Sequence, residues 1–525
     1  MHFKAQKYLS RGFIFLLFIS FFSTQLFAQK TENEISKIQE ELLIIQSPGH
    51  LNLNPQLSSY SSEAQILSGL YEGLFSYDPL SLEPIPALAS SYKISRDKKT
   101  WTFNIRKNAR FANGDPISAQ SFYDSWLKLI DPNTNAPFAS LLDCIEGVQA
   151  YRLGKGDASK VGIQVKNDGS LVIKLVHPTE HLAKILCHHA FSVIHENKTI
   201  QSGPFVISQL NKAELRLTKN TFYWDADNVA LPSIRFLFSE DQVENTYLFN
   251  IGKVHWLADN FDASKLIEND SLVFGTQFGT EYYFFRMQNT SVWNSQKARQ
   301  ALLLALPWEK LREAFYVPAT RLLSRLYNYP EIYGVDESDI EEAQAILDSL
   351  GLNEEEKRIE ISIPDTDYHA DQVALFAESW KKIGIRTDII KIPSYDYYDA
   401  VPQSNSDMFT YTWIGDFADP MAFLELFKKG SSLNESRWSS PVYENLLQEA
   451  TGIHDTKKRY EKLAEAEQEL LDSFIVIPLS HPISVNIVDK AILGGWYENA
   501  LDLHPLKHLY FKERGPIKNL LIAIN

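Results

Sequence analysis

The sequence predicts an α/β protein of two or three domains. Its 525 residues are too many for a single hydrophobic core, so the chain must divide. After Gly334, apolar runs of strand length alternate with helical patterns that end at a glycine, as at Gly351 and Gly384. This alternation predicts a parallel sheet covered by helices. An aromatic content of 12% favours strands and pockets lined by aromatic rings.

The individual elements follow from hydrophobic spacing and turn residues. Alternating or short apolar runs bounded by turn residues predict strands, and apolar residues three or four positions apart predict helices. The predicted strands are 42–46, 88–94, 101–105, 171–176, 205–210, 214–218, 234–238, 282–287, 359–363, 385–392, 409–414, 475–479 and 484–488. The predicted helices are 63–75, 119–130, 296–306, 338–350, 371–383, 443–452 and 457–471.

Residues 1–28 have the order of a secretory signal peptide. Basic residues such as Lys4 and Arg11 precede an apolar run at 13–22, and Ala28 supplies a small residue for cleavage. The run is shorter than the roughly 20 residues that a membrane span requires. A retained amphipathic anchor is the alternative. Because no cysteine lies near the cut, we expect no lipid anchor and a protein that is free in the periplasm.

The net charge of the chain limits the classes of partner that it can bind. The chain carries a formal net charge of −15, and cleavage of the signal peptide would remove three basic residues and no acidic ones, which makes the net charge −18. An acidic surface repels the phosphate backbone, so we expect no nucleic acid partner.

No motif indicates catalysis or a cofactor. The chain lacks G-x-S-x-G, H-E-x-x-H, a P-loop and G-x-G-x-x-G. His188 and His189 are adjacent, and on a strand they would face opposite sides, which disfavours joint metal chelation. We therefore predict no enzyme activity, no cofactor and no metal site. Cys144 and Cys187 leave two alternatives open, one disulfide or two buried thiols.

The most informative stretch is residues 408–427, MFTYTWIGDFADPMAFLELF. The apolar run 409–414 predicts a buried strand that ends at Gly415. Asp416 follows the strand directly, and Asp419 begins a turn. An acid at the end of a buried strand is well placed to meet a cation, because a lone buried charge is costly. A ligand-binding acid and a turn-stabilising acid are the two alternatives for Asp416.

Six segments in a fixed order make the chain resemble the periplasmic substrate-binding proteins of peptide importers, of the oligopeptide- and dipeptide-binding type. The resemblance extends over residues 43–511. The segments are LYEGLF at Leu70, TWTFNIRKNARFANGDPISAQSFYDSW at Thr100, DPNTNAPFASLL at Asp131, SGPF at Ser202, AFYVPATRLL at Ala314 and TWIGDFADPMAFL at Thr412.

This resemblance implies a bilobed periplasmic-binding-protein-like α/β fold with an additional inserted domain. A cleft between the two lobes would close over the ligand by hinge motion. The implied divisions are lobe I at 29–76, 198–281 and 488–525, the inserted domain at 77–197, and lobe II at 282–487.

The resemblance also implies a binding site. In peptide-binding relatives, the acid of the motif W-x-G-D pairs with the α-ammonium group of the peptide, and residues 412–417 would offer backbone groups to it. Only one of Tyr282 and Tyr283 can face the cleft, because neighbours on a strand alternate; either could instead pack at the hinge. The implied ligand-binding residues are Asp416, Trp413, Gly415, Ile414, Phe417 and Tyr283.

Three positions differ from some relatives. There is no acid near Ser59, Phe138 replaces a tyrosine, and Thr410 replaces a basic residue. These differences leave open the length of the peptide and how its carboxyl end is held.

The implied function is that of a monomeric binding protein that captures short peptides and delivers them to an inner-membrane ABC permease. Two alternatives remain. The ligand could be another solute, such as a sugar, a metal chelate or another amine, or the protein could be a peptide sensor or chaperone without transport.

Overall fold

The structure, a computed structural model, describes residues 41–49 and 51–512. The predicted signal peptide, residues 1–28, lies outside these residues and stays a prediction. Among the residues described, no helix has the length and apolar character needed to cross a membrane.

The largest sheet, here called the first sheet, gathers strands from the beginning, the middle and the end of the chain. Strand Glu41–Gln46 runs parallel to Ser233–Phe238 and to Trp256–Leu257, and the other pairings are antiparallel. In spatial order its strands are Leu272–Thr276, Ile483–Val488, Trp256–Leu257, Glu41–Gln46, Ser233–Phe238, Glu214–Lys219 and Phe205–Leu210.

The second sheet is mixed, although the sequence predicted a parallel one. Strand Arg358–Pro364 runs parallel to both of its neighbours, as expected from helix-connected strands. Strand Gly279–Phe285 enters from the preceding lobe, runs antiparallel to its two neighbours and is buried along its whole length. In spatial order the strands are Arg386–Ile392, Arg358–Pro364, Met408–Ile414, Gly279–Phe285 and Val476–Ser480.

A third sheet belongs to the segment predicted as an inserted domain. It is antiparallel, and helix Ala119–Leu129 packs against it. Its strands in spatial order are Ala89–Ile94, Thr100–Ile105, Leu171–Lys174 and Ile163–Val165. Two small two-stranded sheets pair Phe75–Tyr77 with Pro84–Pro86 and Leu493–Gly494 with Tyr510–Phe511.

The helices cover the sheets. The ends of helix Ile340–Leu350 match the sequence signals, whereas the predicted helix 63–75 ends at Leu70, before strand Phe75–Tyr77. Helix Ile340–Leu350 begins where the Asp339 side chain accepts a hydrogen bond from the Glu342 amide, and it ends at Gly351, whose φ of 63° favours glycine. The α-helices of the described residues are Ser61–Leu70, Ala119–Leu129, Val148–Arg152, Leu182–Ile185, Gln242–Asn250, Gln296–Leu304, Trp308–Arg312, Ile340–Leu350, Asp367–Lys382, Tyr397–Ala400, Met421–Leu424, Pro441–Thr451 and Thr456–Asp472.

Strand pairing bears on two of the predicted domain limits. Strand Ile483–Val488 pairs within the first sheet, although the implied range 282–487 placed most of it in lobe II. Residues 279–281 pair within the second sheet, although the resemblance placed them in lobe I. The domain limits stay a prediction.

Candidate functional site

A cavity of about 840 Å³ lies where the lobes and the inserted segment meet. This size suits a small ligand that is largely enclosed. The lining residues come from 57–77, 131–139, 187–192, 398–416, 432–435 and 501–507, together with Arg152 and Pro204. Segments from the beginning, the middle and the end of the described chain therefore contribute to one chamber.

Strand Met408–Ile414 carries Asp416 to the cavity. The strand ends at Gly415, whose amide donates a hydrogen bond of 2.8 Å to the Phe278 carbonyl. A Cβ atom at Gly415 would lie 2.6 Å from the Phe278 ring, closer than real side chains pack. Glycine is needed here because the chain passes directly against this ring, and that close passage fixes where Asp416 emerges.

The Asp416 carboxylate is buried, and among the described residues it pairs with no lysine or arginine side chain. Its side chain is 8% exposed, and Oδ1 lies 3.8 Å from Nε2 of His188. Oδ2 is buried and has no hydrogen-bond partner among the described residues. Burial raises the pKa of Asp416 well above its ordinary value. A buried acceptor at a cavity wall with no partner suits the binding of a cation.

Asp419, three residues later, has the opposite environment. The Arg459 guanidinium donates to both of its carboxylate oxygens, at 2.7 and 2.8 Å, and the Met421 amide donates to Oδ1 at 3.0 Å. Burial alone would raise the pKa of Asp419, but the Arg459 guanidinium, the neighbouring His181 and the hydrogen bonds to the carboxylate together outweigh burial and lower the pKa to about 2. Asp419 therefore shapes the turn, as the sequence predicted, and does not line the cavity.

Trp413 and Ile414 also line the cavity, on either side of the strand end. The Trp413 indole N–H donates to the Ala422 carbonyl at 3.0 Å, and its ring centroid lies 6.4 Å from that of Phe138. The hydrogen bond fixes the indole ring, so Trp413 gives the cavity a rigid apolar wall beside Asp416.

A family model matches more than half of the chain. The model describes the middle region of the bacterial extracellular solute-binding proteins, family 5, and it matches residues 83–435. This chain belongs to that family. The predicted bilobed α/β fold is thereby confirmed, and the family is one of binding proteins.

Other family 5 proteins resemble the chain along nearly its whole length. The oligopeptide-binding protein OppA of Bacillus subtilis is 26% identical over 500 residues, which cover 88% of this chain and 91% of OppA. The solved structure of the Escherichia coli murein tripeptide-binding protein MppA has a TM-score of 0.80 at 24% identity, with 90% of this chain and 99% of MppA covered.

An unliganded open form of the murein tripeptide-binding protein MppA shares the fold as well, with a TM-score of 0.63 at 24% identity and with 97% of that chain and 90% of this chain covered. In the present structure, residues from distant parts of the chain meet at the cavity. The Tyr77 hydroxyl donates to the Asp416 carbonyl at 2.9 Å, and the rings of Tyr60 and Tyr398 meet edge to face at 5.4 Å.

The structure does not place Phe417 or Tyr283 at the cavity wall, and this corrects their predicted position. Phe417 is fully buried, with its ring stacked 5.6 Å from the His181 ring. Tyr283 is fully buried, and its hydroxyl donates to the Gln372 side chain at 2.8 Å. Tyr282 is buried as well, so the strand contributes packing and not a cavity-facing tyrosine. Strand alternation places one of two neighbouring side chains toward the cleft only if one face of the strand is open. Both faces of this strand are covered, so neither tyrosine faces the cavity.

Two tyrosines that the sequence argument passed over do line the cavity. Tyr411 and Tyr398 pack together, with centroids 5.1 Å apart, and both reach the cavity wall. Tyr411 is two residues before Trp413, so strand alternation could have found it from the position of Trp413. Tyr398 lies in helix Tyr397–Ala400, where no local signal pointed to the cavity.

His188 and His189 also reach the cavity, although their side chains were predicted to face opposite sides of a strand. They lie at a 3₁₀ turn and not on a strand, and their ring centroids are only 4.0 Å apart. The prediction that they face opposite sides is therefore wrong. No group of three or more His, Cys, Asp or Glu residues in the described part of the chain could hold a metal ion.

The three departures from relatives fall in different places. Ser59 and Phe138 line the cavity, whereas Thr410 is buried and donates from its hydroxyl to the Tyr282 carbonyl at 3.3 Å.

The two cysteines are free thiols, and each donates to a backbone carbonyl: Cys144 to Leu141 and Cys187 to Ser76.

Proposed function

We propose that this protein captures short peptides through their α-ammonium group and delivers them to an ABC importer. The observation that carries the proposal is the buried Asp416 carboxylate, which stands at the wall of a chamber of about 840 Å³ and whose Oδ2 has no hydrogen-bond partner within residues 41–49 and 51–512. An ammonium group enclosed by closure needs such a partner, because an unpaired buried charge is prohibitive.

The charges at the cavity wall favour an ammonium as the group that is bound most strongly. Among the described lining residues the cations are Arg152 and Lys507. Arg152 already pairs with Asp143 at 2.6 Å, and Lys507 pairs with Asp225 at 2.8 Å. The unsatisfied buried charge is thus an acid, which supports anchoring by the amino end of a peptide.

The end of strand Met408–Ile414 is suited to pair with a peptide backbone. The strand pairs with Gly279–Phe285 along its whole length, but with Arg358–Pro364 only at Met408 and Phe409. Its later residues therefore have a partner strand on one side only, next to the cavity. An extended peptide can add along such an edge and gain affinity without being read side chain by side chain.

The relatives support a peptide as the class of ligand. Relatives that cover nearly the whole chain carry the names oligopeptide-binding protein and murein tripeptide-binding protein. We place the protein in the periplasm as a monomer without a lipid anchor, released by cleavage after Ala28, where an inner-membrane ABC permease would receive its peptide. The acidic sequence and the predicted signal support this location.

Mass spectrometry of ligands that co-purify with the protein tests the proposal. A mixture of short peptides with free amino ends is the expected result. A single sugar, metal chelate or other non-peptide compound would contradict it. If the protein carries bound peptides but a strain without the importer still grows normally on peptide medium, a role as a sensor or chaperone would be favoured over transport.

A further inference from the structure

Turn 416–419 carries Asp416 beyond the end of the strand pairing that precedes it. The pairing with Gly279–Phe285 extends only as far as Ile414. Buried backbone carbonyls need hydrogen-bond donors, and past Ile414 the paired strand no longer supplies them. The carbonyls of Asp416 and Ala418 receive their hydrogen bonds from another part of the chain. Contacts outside the second sheet therefore help to fix the turn that carries Asp416.

Two of these donors belong to the inserted segment, residues 77–197. The Tyr77 hydroxyl donates to the Asp416 carbonyl at 2.9 Å, and Nζ of Lys184 donates to the Ala418 carbonyl at 3.2 Å. Tyr77 is buried at the cavity wall, whereas the Lys184 side chain is 26% exposed. Both donors meet backbone oxygens, so they hold the turn without occupying the Asp416 carboxylate.

His181, a third residue of the inserted segment, contacts the other end of the turn. Nη2 of Arg459 donates to Nδ1 of His181 at 3.2 Å, and the same guanidinium donates to both carboxylate oxygens of Asp419. Because an arginine side chain only donates, Nδ1 of His181 is the acceptor. The His181 ring also stacks on the Phe417 ring, with the two planes 11° apart. His181 therefore reaches the turn through one hydrogen bond and one ring contact.

The inserted segment is also joined to the second-sheet lobe away from this turn. Nη2 of Arg152 donates to the Gly430 carbonyl at 2.6 Å, and the Ser432 hydroxyl donates to the Pro137 carbonyl at 2.5 Å. These contacts hold the segment in place independently of the turn. Loss of one contact at the turn should therefore loosen the turn without detaching the segment.

We propose that Tyr77, His181 and Lys184 are positioning residues for ligand binding. They hold turn 416–419 so that the Asp416 carboxylate faces the cavity. This inference rests on the proposed function, because the group that meets the carboxylate is taken to be the peptide ammonium. The attraction within a buried ion pair depends on its distance and geometry. A loosened turn should therefore weaken the contact with the ammonium and leave the other contacts of the peptide unchanged.

Calorimetry with trialanine and N-acetyl-trialanine tests the proposal on Tyr77→Phe, which keeps the ring and removes the hydroxyl. The preference for the free amine should fall about threefold to tenfold, as expected for the loss of one hydrogen bond. The affinity for N-acetyl-trialanine should stay unchanged. In the Asp416→Asn background, Tyr77→Phe should have no further effect on the preference.

Two more variants probe the other contacts in the same way. His181→Phe keeps a ring to stack on Phe417 and removes the acceptor for Arg459. Lys184→Met removes the donor to the Ala418 carbonyl from a partly exposed position, where the fold tolerates the change. Each should lower the preference for the free amine, and Lys184→Met tests the proposal even if a buried variant does not fold.

Matched controls lose the same kind of bond away from the turn. The buried Tyr443 hydroxyl donates to the Leu424 carbonyl at 2.6 Å, and Nζ of Lys99 donates to the Val176 carbonyl at 3.0 Å. Neither residue lines the cavity. Tyr443→Phe should reduce the stability of the protein, as Tyr77→Phe does, but Tyr443→Phe and Lys99→Met should both leave the preference for the free amine unchanged.

An unchanged preference in Tyr77→Phe, or equal weakening of both peptides, would overturn the proposal. A loss of preference in Tyr443→Phe as large as in Tyr77→Phe would overturn it as well. If the wild-type protein bound both peptides equally, the proposed function would fail, and the positioning role with it. A crystal structure of ligand-free Tyr77→Phe gives a second readout. The Asp416 carboxylate should be displaced from its wild-type position, and an unmoved carboxylate would contradict the positioning role.

Discussion

Asp416 and Asp419 stand three residues apart in one turn, and both are buried, yet their surroundings are opposite. Asp419 accepts two hydrogen bonds from Arg459, and its pKa is lowered to about 2. In the part of the chain that the structure describes, Asp416 has no lysine or arginine partner, and burial raises its pKa well above the ordinary value. One acid is satisfied by the protein itself and the other is not.

This difference teaches which acid serves the fold and which serves a ligand. A satisfied buried pair adds little beyond holding its turn in place, and removing one member is costly. An unsatisfied buried acid lowers the stability of the fold and is retained where a ligand supplies what is missing.

The largest effect is expected from breaking the satisfied pair. Asp419→Asn leaves the Arg459 guanidinium buried with half of its partner, and should lower the free energy of unfolding by about 3–5 kcal/mol. Because the folded-state pKa of Asp419 is depressed, its contribution is complete above about pH 4 and is lost as the pH falls through about 2. Urea denaturation at pH 7 and pH 3 measures both. Equal stability of the variant and the wild type at pH 7 would contradict the structural role assigned to Asp419.

The second prediction concerns a substitution at Gly415, which should shift the position of Asp416 without changing its side chain. Gly415→Ala brings a methyl group to 2.6 Å from the Phe278 ring, so the strand end must shift. We expect a loss of about 1–3 kcal/mol in stability, as for overpacked cores, together with weaker binding of trialanine. Thermal unfolding and calorimetry measure these. Gly430→Ala is a poor control because its φ is 79°, whereas Gly452→Ala has only an ordinary contact and should change neither quantity.

Asp416→Asn should have the opposite effect on stability from Asp419→Asn. A raised folded-state pKa means that the ionised acid costs stability, and this cost grows as the pH rises above about 4. The variant should therefore be more stable than the ligand-free wild type at pH 7, by about 1–3 kcal/mol. Chemical denaturation of ligand-free protein measures it, and a variant as destabilised as Asp419→Asn would refute the contrast.

The smallest expected effect is the pH dependence of binding. Below the raised pKa of Asp416, an ammonium must displace a proton from the carboxyl group, so affinity for trialanine should rise with pH. Because one proton is displaced, the affinity for trialanine cannot rise by more than about tenfold per pH unit. The rise should end near pH 8, where the peptide amine loses its charge. N-acetyl-trialanine should show no rise. Calorimetry between pH 5 and pH 8 would detect a flat profile, which contradicts the coupling.

The strand, Gly415 and Asp416 could be predicted from the sequence because their signals are local. An apolar run, a glycine and an acid follow one another, and strand Met408–Ile414 lies within one residue of its predicted start. The end of helix Ile340–Leu350 was likewise given by Gly351. Local conformational preference decided these features, so no knowledge of the remainder of the fold was required.

Other features depend on contacts between distant residues. Arg459 is 40 positions from Asp419, and nothing in the sequence near either residue announces the pair. Strand Ile483–Val488 joined the first sheet through partners more than 200 positions away. The error at His188 has a local cause, because its Nδ1 accepts from the Ala190 amide and stabilises a turn where a strand had been assumed.

The most direct test of the account compares trialanine with N-acetyl-trialanine on the wild-type protein and on Asp416→Asn by calorimetry. If Asp416 binds the peptide ammonium, the wild type should prefer the free amine by about a hundredfold or more, as expected for a buried charge pair. Asp416→Asn should lose most of that preference while remaining folded. Equal affinity of the wild type for the free and the acetylated peptide would contradict the central claim.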